Sequence, residues 1–165
     1  MTLSLTPANS LVLLIDWQDR LVGAMPPAIE ASHRAKAEVL LRSAAAAGVP
    51  VVVTEQYPKG LGHTVESLRD AIRAVVEASG RTHIVVVGME SHICVWQTVR
   101  ALTERGLSVH VPRDAVISRR TNDYEAALSL YLNTGAVVTS VEAVVFDWVR
   151  RAEGDVFKAI SRLVR

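Results

Sequence analysis

One cysteine, Cys94, stands in 165 residues, so no disulfide can form within the chain. A lone thiol suits a reducing compartment, and the expectation is a cytoplasmic protein. Long apolar runs are also absent. Leu11–Ile15 and Ile84–Val87 are the length of strands, far short of the roughly 20 residues that a membrane-spanning helix needs. Residues 1–10 carry neither a positive leader nor a long apolar core, so no signal peptide is expected. Charge of one sign is lacking too. Eighteen Lys and Arg face 17 Asp and Glu, a net +1, which gives no general attraction for nucleic acid or an anionic membrane. Arg150, Arg151, Arg162 and Arg165 crowd the C-terminal end, but Glu153 and Asp155 interrupt them, as on a solvated helix face.

Two classes of cofactor site have no support. His33, His63, His83, His92 and His110 are scattered, with no His-x-x-x-His pair and no Cys/His cluster, so no metal is expected. Gly-x-Gly-x-x-Gly and Walker patterns do not occur, which removes the usual nucleotide cradles and leaves no expected cofactor. With no Pro/Ser linker, low-complexity tract or internal repeat, residues 1–165 read as one domain. Half of its residues are hydrophobic, enough for a stable core at this length.

What is present is a regular alternation. Apolar, β-branched runs at Ser10–Ile15, Val49–Thr54, Thr82–Val87, Leu107–Val111 and Ala136–Thr139 read as buried strands. Helical spacing covers Ile29–Ala47, Val65–Ala78, Ile93–Arg105, Tyr124–Asn133, Val141–Ala152 and Asp155–Leu163. Gly48, Gly80, Gly106 and Gly135 each precede a strand, the place where a left-handed residue closes a helix. Strands alternating with helices predict a three-layer α/β/α protein. Its sheet is parallel and doubly wound, Rossmann- or flavodoxin-like, with about five strands. Such sheets bind ligands beyond the carboxyl ends of strands, where connections leave for opposite faces.

Asp16 ends the first strand, and the turn from Gly88 to Cys94 follows the third. If those strands are neighbours, the two meet at that crevice. Cys94 would lie at a helix start, where amide groups and the helix dipole favour a nucleophilic thiolate and can bind an oxyanion. Equally, a lone cysteine there can be a small packing residue. Asp16 suits a general base, or simply a cap for the next turn. Trp17 can line a pocket or belong to the core, and Asp19 reads as a solvated loop residue. The loop after the second strand, with Tyr57 and Lys59, lies at the same edge. His83 and His110, within predicted strands, read as satisfied structural histidines. His92 is the histidine near Cys94, but two residues apart on a helix start do not make a dyad.

Four segments together resemble the isochorismatase-like cysteine hydrolases, of the isochorismatase-domain branch. They are Leu13-Leu14-Ile15-Asp16-Trp17-Gln18-Asp19, Val51-Val52-Val53-Thr54-Glu55-Gln56-Tyr57-Pro58-Lys59-Gly60, Val87-Gly88-Met89-Glu90-Ser91-His92-Ile93-Cys94-Val95 and Pro112-Arg113-Asp114-Ala115-Val116-Ile117-Ser118-Arg119. The likeness runs from about Leu11 to the C-terminus. It implies an Asp–Lys–Cys triad with Asp16 as base and Cys94 as nucleophile. It also implies a cis peptide at Met89–Glu90 and an oxyanion hole from the backbone N–H groups of Glu90 and Cys94. Trp17, Gln18, Tyr57, Met89 and His92 fall at substrate-binding positions. The substrate implied is a small amide, imide or related carbonyl compound, and a homo-oligomer is implied as the working form. The nicotinamidase branch carries a metal-binding Asp/His set that is not found here.

The triad's lysine has no match. No Lys occurs from Gly60 to Arg120, and the segment that should carry an edge strand and the lysine is absent, leaving a strand order of 2-1-3-4-5. Lys59 is the candidate substitute cation. Arg69 or Arg73 can supply charge but not a readily lost proton. The alternative is a catalytically impaired relative that binds a small molecule or a protein.

Overall fold

The structure, a computed structural model, describes residues 3–55 and 78–165. Among the described residues, six strands form one sheet: β1 (Ser10–Ile15), β2 (Val51–Thr54), β3 (His83–Met89), β4 (Ser108–Pro112), β5 (Val116–Ile117) and β6 (Val137–Thr139). Their order is β2-β1-β3-β4-β6, with β5 against the end of β3, and every pairing is parallel. This is the expected doubly wound sheet plus one short strand. Among the described residues, helices α1 (Asp19–Val22), α2 (Pro27–Ala47), α3 (Trp96–Thr103), α4 (Thr121–Asn133), α5 (Val141–Val149) and α6 (Gly154–Leu163) accompany it.

Period-two alternation in the central strands builds two cores. Leu11, Leu13 and Ile15 of β1 and Ile84 and Val86 of β3 face one side, with Val99 and Leu102 of α3 and Ala127, Leu128 and Tyr131 of α4. Val12, Val85 and Val87 face the other, with Ala37, Leu40 and Ala44 of α2, Val144, Val145 and Trp148 of α5 and Ile160 of α6. A sheet covered on both faces explains why its strands read as continuous apolar runs. It also fixes the switch point. The β1–β2 crossover, α2, packs on one face, and the helix leaving β3, α3, packs on the other, so the crevice opens between β1 and β3.

The four strand-leading glycines all take positive φ, from 62° to 82°. At Gly48 the backbone N–H returns to the carbonyls of Ala44 and Ala45 and ends α2 before β2. His83 and His110 bond to Thr82 (2.9 Å) and Ser108 (3.2 Å), as satisfied strand histidines do.

Two local expectations change, and two further details emerge. The thiol does not sit in an α-helical first turn: Ser91–Val95 is a π-helical turn, and α3 begins at Trp96. Such one-turn π insertions are concentrated at functional sites. Helix α5 stops at Val149 rather than residue 152. After β4 a 3-10 turn, Arg113–Ala115, leads into Val116–Ile117, which pair with Gly88–Met89. In α6, Ile160 is fully buried and Phe157 packs beside Phe146, leaving Val156 exposed. The predicted helix Val65–Ala78 and the absent edge strand fall mainly outside the described residues.

Candidate active site

The site begins with a close approach of backbones. Ile15 is in register with Gly88, and a Cβ on Gly88 would stand 2.1 Å from the Ile15 carbonyl oxygen. Only glycine lets β1 and β3 come this close, and Gly88 also has φ +129°. One residue further along each strand are Asp16 and Met89, and beyond Met89 lies the Cys94 turn. The register therefore brings the acid and the thiol-bearing turn to one edge of the sheet.

Asp16 is buried and takes a left-handed conformation, φ 46°. Thr54 at the end of β2 donates its hydroxyl to Asp16 Oδ1 at 2.9 Å, while the Asp16 N–H donates to the Thr54 carbonyl at 3.2 Å. The carboxylate is thus held from the neighbouring strand. Gln18 follows, donating its N–H to the Asp16 carbonyl at 2.9 Å. Trp17 is half-buried, and its indole N–H reaches Glu30 on α2 at 3.1 Å.

The peptide between Met89 and Glu90 is cis, where the resemblance places it. Met89 is buried with Met25 and Ile117. Cys94 is buried in the turn, whose shape is fixed from several sides. Tyr131 of α4 donates its hydroxyl to the Ser91 carbonyl at 2.6 Å, and burial pushes its own ionisation upward. His92 bonds through Nδ1 to Ser118 at 2.9 Å, with Nε2 3.8 Å from Asp123. The Ser91 hydroxyl is buried with no hydrogen-bond partner among the described residues.

Glu90 brings a residue that the sequence reading missed. Its carboxylate receives the Arg119 guanidinium, Nε to Oε2 at 2.9 Å, and the Arg119 backbone N–H at 3.2 Å. Burial pushes the Glu90 carboxyl up, but the hydrogen bonds and charge of Arg119 outweigh it and hold the group below its ordinary value. The motif ending Ser118-Arg119 contained the signal, but nothing in one dimension pairs it with Glu90. A cavity of about 520 Å³ opens beside the site, not on Asp16 or Cys94, between Ile29 and His33 of α2 and Tyr124 of α4, with Ser118 in its wall. Tyr57 and Lys59 lie outside the described residues. Among the described residues, no group of three or more His, Cys, Asp or Glu could hold a metal ion, and no helix is long and apolar enough to cross a membrane.

The fold and this crevice define a class: doubly wound α/β proteins with an acid and a thiol-bearing turn at the switch point. Comparison with known proteins narrows it. The Isochorismatase domain model matches residues 68–143. Isochorismatase domain-containing protein 1 of Danio rerio is 33% identical, matching 98% of this chain, which spans only 63% of that relative's length. Isochorismatase domain-containing protein 2 of Bos taurus is 33% identical over 96% of this chain and 84% of its own. The MAR1 ribonuclease structure from Caenorhabditis elegans has 30% identity and TM-score 0.80, over 98% of this chain and 92% of that one. The YcaC structure from Escherichia coli, described as an octameric hydrolase of unknown specificity, has TM-score 0.84 at 20% identity, over 99% and 90%, and shares the fold. The chain belongs to the isochorismatase family. The Danio rerio alignment covers 182 positions against 165 residues here, so the relative has residues within the matched region that this chain lacks.

Proposed function

We propose that this protein is a cysteine hydrolase of small amides, imides or related carbonyl compounds, with Cys94 as nucleophile and Asp16 as general base. The observation that carries this reading is the Ile15–Gly88 register, which puts Asp16 beside the Met89–Glu90 cis peptide and the Cys94 turn. Asp16 takes the thiol proton, and Sγ attacks the carbonyl carbon. The oxyanion is received by the backbone N–H groups of Glu90 and Cys94. As the C–N bond breaks, the proton passes to the leaving nitrogen. Water then cleaves the thioester and restores the thiol. Trp17, Gln18, Met89 and His92 border the substrate, with Tyr57 closing from the loop after β2. Lys59, from the segment after β2, is the candidate substitute for the missing triad lysine, and the proposal calls for no cofactor.

A second reading has its own support. No Lys lies between Gly60 and Arg120, and the chain is shorter than its 182-position alignment with the Danio rerio relative. On that reading the protein binds a small molecule or partner without turning it over. The C. elegans neighbour is described as a ribonuclease, but a net charge of +1 supplies little attraction for a polyanion, and a small substrate is favoured. One domain, a cytoplasmic setting and a homo-oligomer complete the proposal, the last in keeping with the octameric YcaC.

The deciding experiment is the rate of Cys94 alkylation against pH in wild type and Asp16→Asn. Titration well below about 8.5, the free-thiol value, and displaced by Asp16→Asn supports the hydrolase. An ordinary thiol profile indifferent to Asp16 supports the binding role. With a substrate in hand, turnover that survives Cys94→Ala would exclude the nucleophile.

A further inference from the structure

We propose that Arg119 is a positioning residue for the Cys94 centre, acting through the Glu90 carboxylate; this rests on the hydrolase reading above. Glu90 immediately follows the cis bond and supplies one of the assigned oxyanion donors, so where its side chain is tethered sets where its backbone points. The tether is unusually complete. The Glu90 side chain is 4% exposed, and Arg119 meets both of its oxygens with the guanidinium while its own N–H closes on Oε2. Two parallel charge-assisted bonds fix a plane as well as a distance, which a lysine cannot do.

The same pair sets the charge beside the thiol. Around the turn stand Asp16 from β1, His92 within it, Asp123 and Tyr131 from α4, and Arg119 from beyond β5. Paired, Glu90 and Arg119 sum to zero. With Arg119 removed, a buried carboxylate four residues before Cys94 would oppose thiolate formation. Arg119 itself stays half-exposed, 48%, and makes its described bonds to Glu90 rather than to Cys94 or Asp16. Positioning is its role, not contact with the reacting atoms.

The test compares the pH profile of Cys94 alkylation by iodoacetamide, with the thermal midpoint, in wild type, Arg119→Met, Arg119→Lys and Arg119→Met/Glu90→Gln. Arg119→Met should move the profile up by about one pH unit, roughly tenfold slower alkylation at fixed pH below the midpoint. Arg119→Lys should move it less, and the double variant should return it towards wild type because the stranded charge is gone. An unmoved profile in Arg119→Met, or a double variant displaced as far as the single one, overturns the proposal. If Arg119→Met does not fold, Arg119→Lys and the double variant decide: a shift in the first with recovery in the second supports it, and two wild-type profiles overturn it. Failure of the hydrolase reading is seen separately, as a wild-type profile that Asp16→Asn does not change.

Discussion

A methyl group placed on Gly88 would meet the backbone of Ile15 in the sheet's interior, where neither strand can retreat without losing its ladder. Gly88→Ala should therefore cost on the order of 3 kcal/mol or more, measured by chemical denaturation. Its φ of +129° adds strain whatever space is made. At Tyr131 the change is milder. Tyr131→Phe leaves the Ser91 carbonyl without its 2.6 Å donor and should lower stability by about 1–2 kcal/mol. Because Ser91 opens the π-helical turn, the same variant should alter Cys94 alkylation, whereas a pure core defect would leave it unmoved. Single residues were unevenly legible in the sequence. Asp16 and the Gly88–Cys94 turn stood out because each ends an apolar run. Arg119 did not, since its meaning comes from a carboxylate 29 positions earlier.

Among the elements, α2 carries much of the packing on its face of the sheet through Ala37, Leu40 and Ala44. Leu40 is fully buried, and Leu40→Ala should destabilise by about 2–5 kcal/mol, according to how far the cavity collapses. Helix α5 is capped by Ser140, whose hydroxyl accepts from the Ala143 N–H at 3.2 Å. Ser140→Ala should cost about 1 kcal/mol, read from the same denaturation curves. Long elements were readable because many residues repeat one period. The two-residue β5 and four-residue α1 were not, because neither is long enough to show a period and both are held by neighbours: Val116–Ile117 by β3, and α1 by the Gln18 carbonyl, which accepts the Leu21 and Val22 N–H groups. The π-helical turn was equally hidden, since Ser91–Val95 has no composition that separates it from the start of an α-helix.

For the whole molecule, pH enters at the end of the sheet opposite the site. Burial, and then the charge of His83, pull the His110 imidazole down to about 4 against an opposing pull from Asp147. An unfolded histidine titrates near 6.5, so between these values the unfolded chain binds a proton that the folded chain refuses. Stability should be full above about pH 6.5, fall as the pH drops towards about 4, and flatten below it for this group. His110→Gln should reduce that slope in denaturation measured across pH. Assembly is the other property at this scale. With Ile160 turned into its own core, the exposed apolar positions at the described edge of the sheet are Val51 and Val53 of β2. Light scattering should return a multiple of 17.9 kDa, and Val53→Lys should shift the population towards monomer. A wild-type monomer would end the oligomer proposal.

The alternation of the long elements, the parallel sheet and the placing of Asp16 and the Cys94 turn at strand ends were determined by the sequence itself. Alternating periods, strand-ending polar residues and closing glycines are local signals, and right-handed crossovers leave few ways to arrange them. Contacts between distant segments belonged to the tertiary structure alone. The approach of Gly88 to Ile15, the Thr54 bond that holds Asp16, the inward turn of α6 and the locking of Glu90 by Arg119 arise only when the sheet stacks its strands in register. No local propensity specifies a partner 29 or 73 positions away; packing chooses it, because a buried carboxylate must find its hydrogen bonds where the fold has placed the donors.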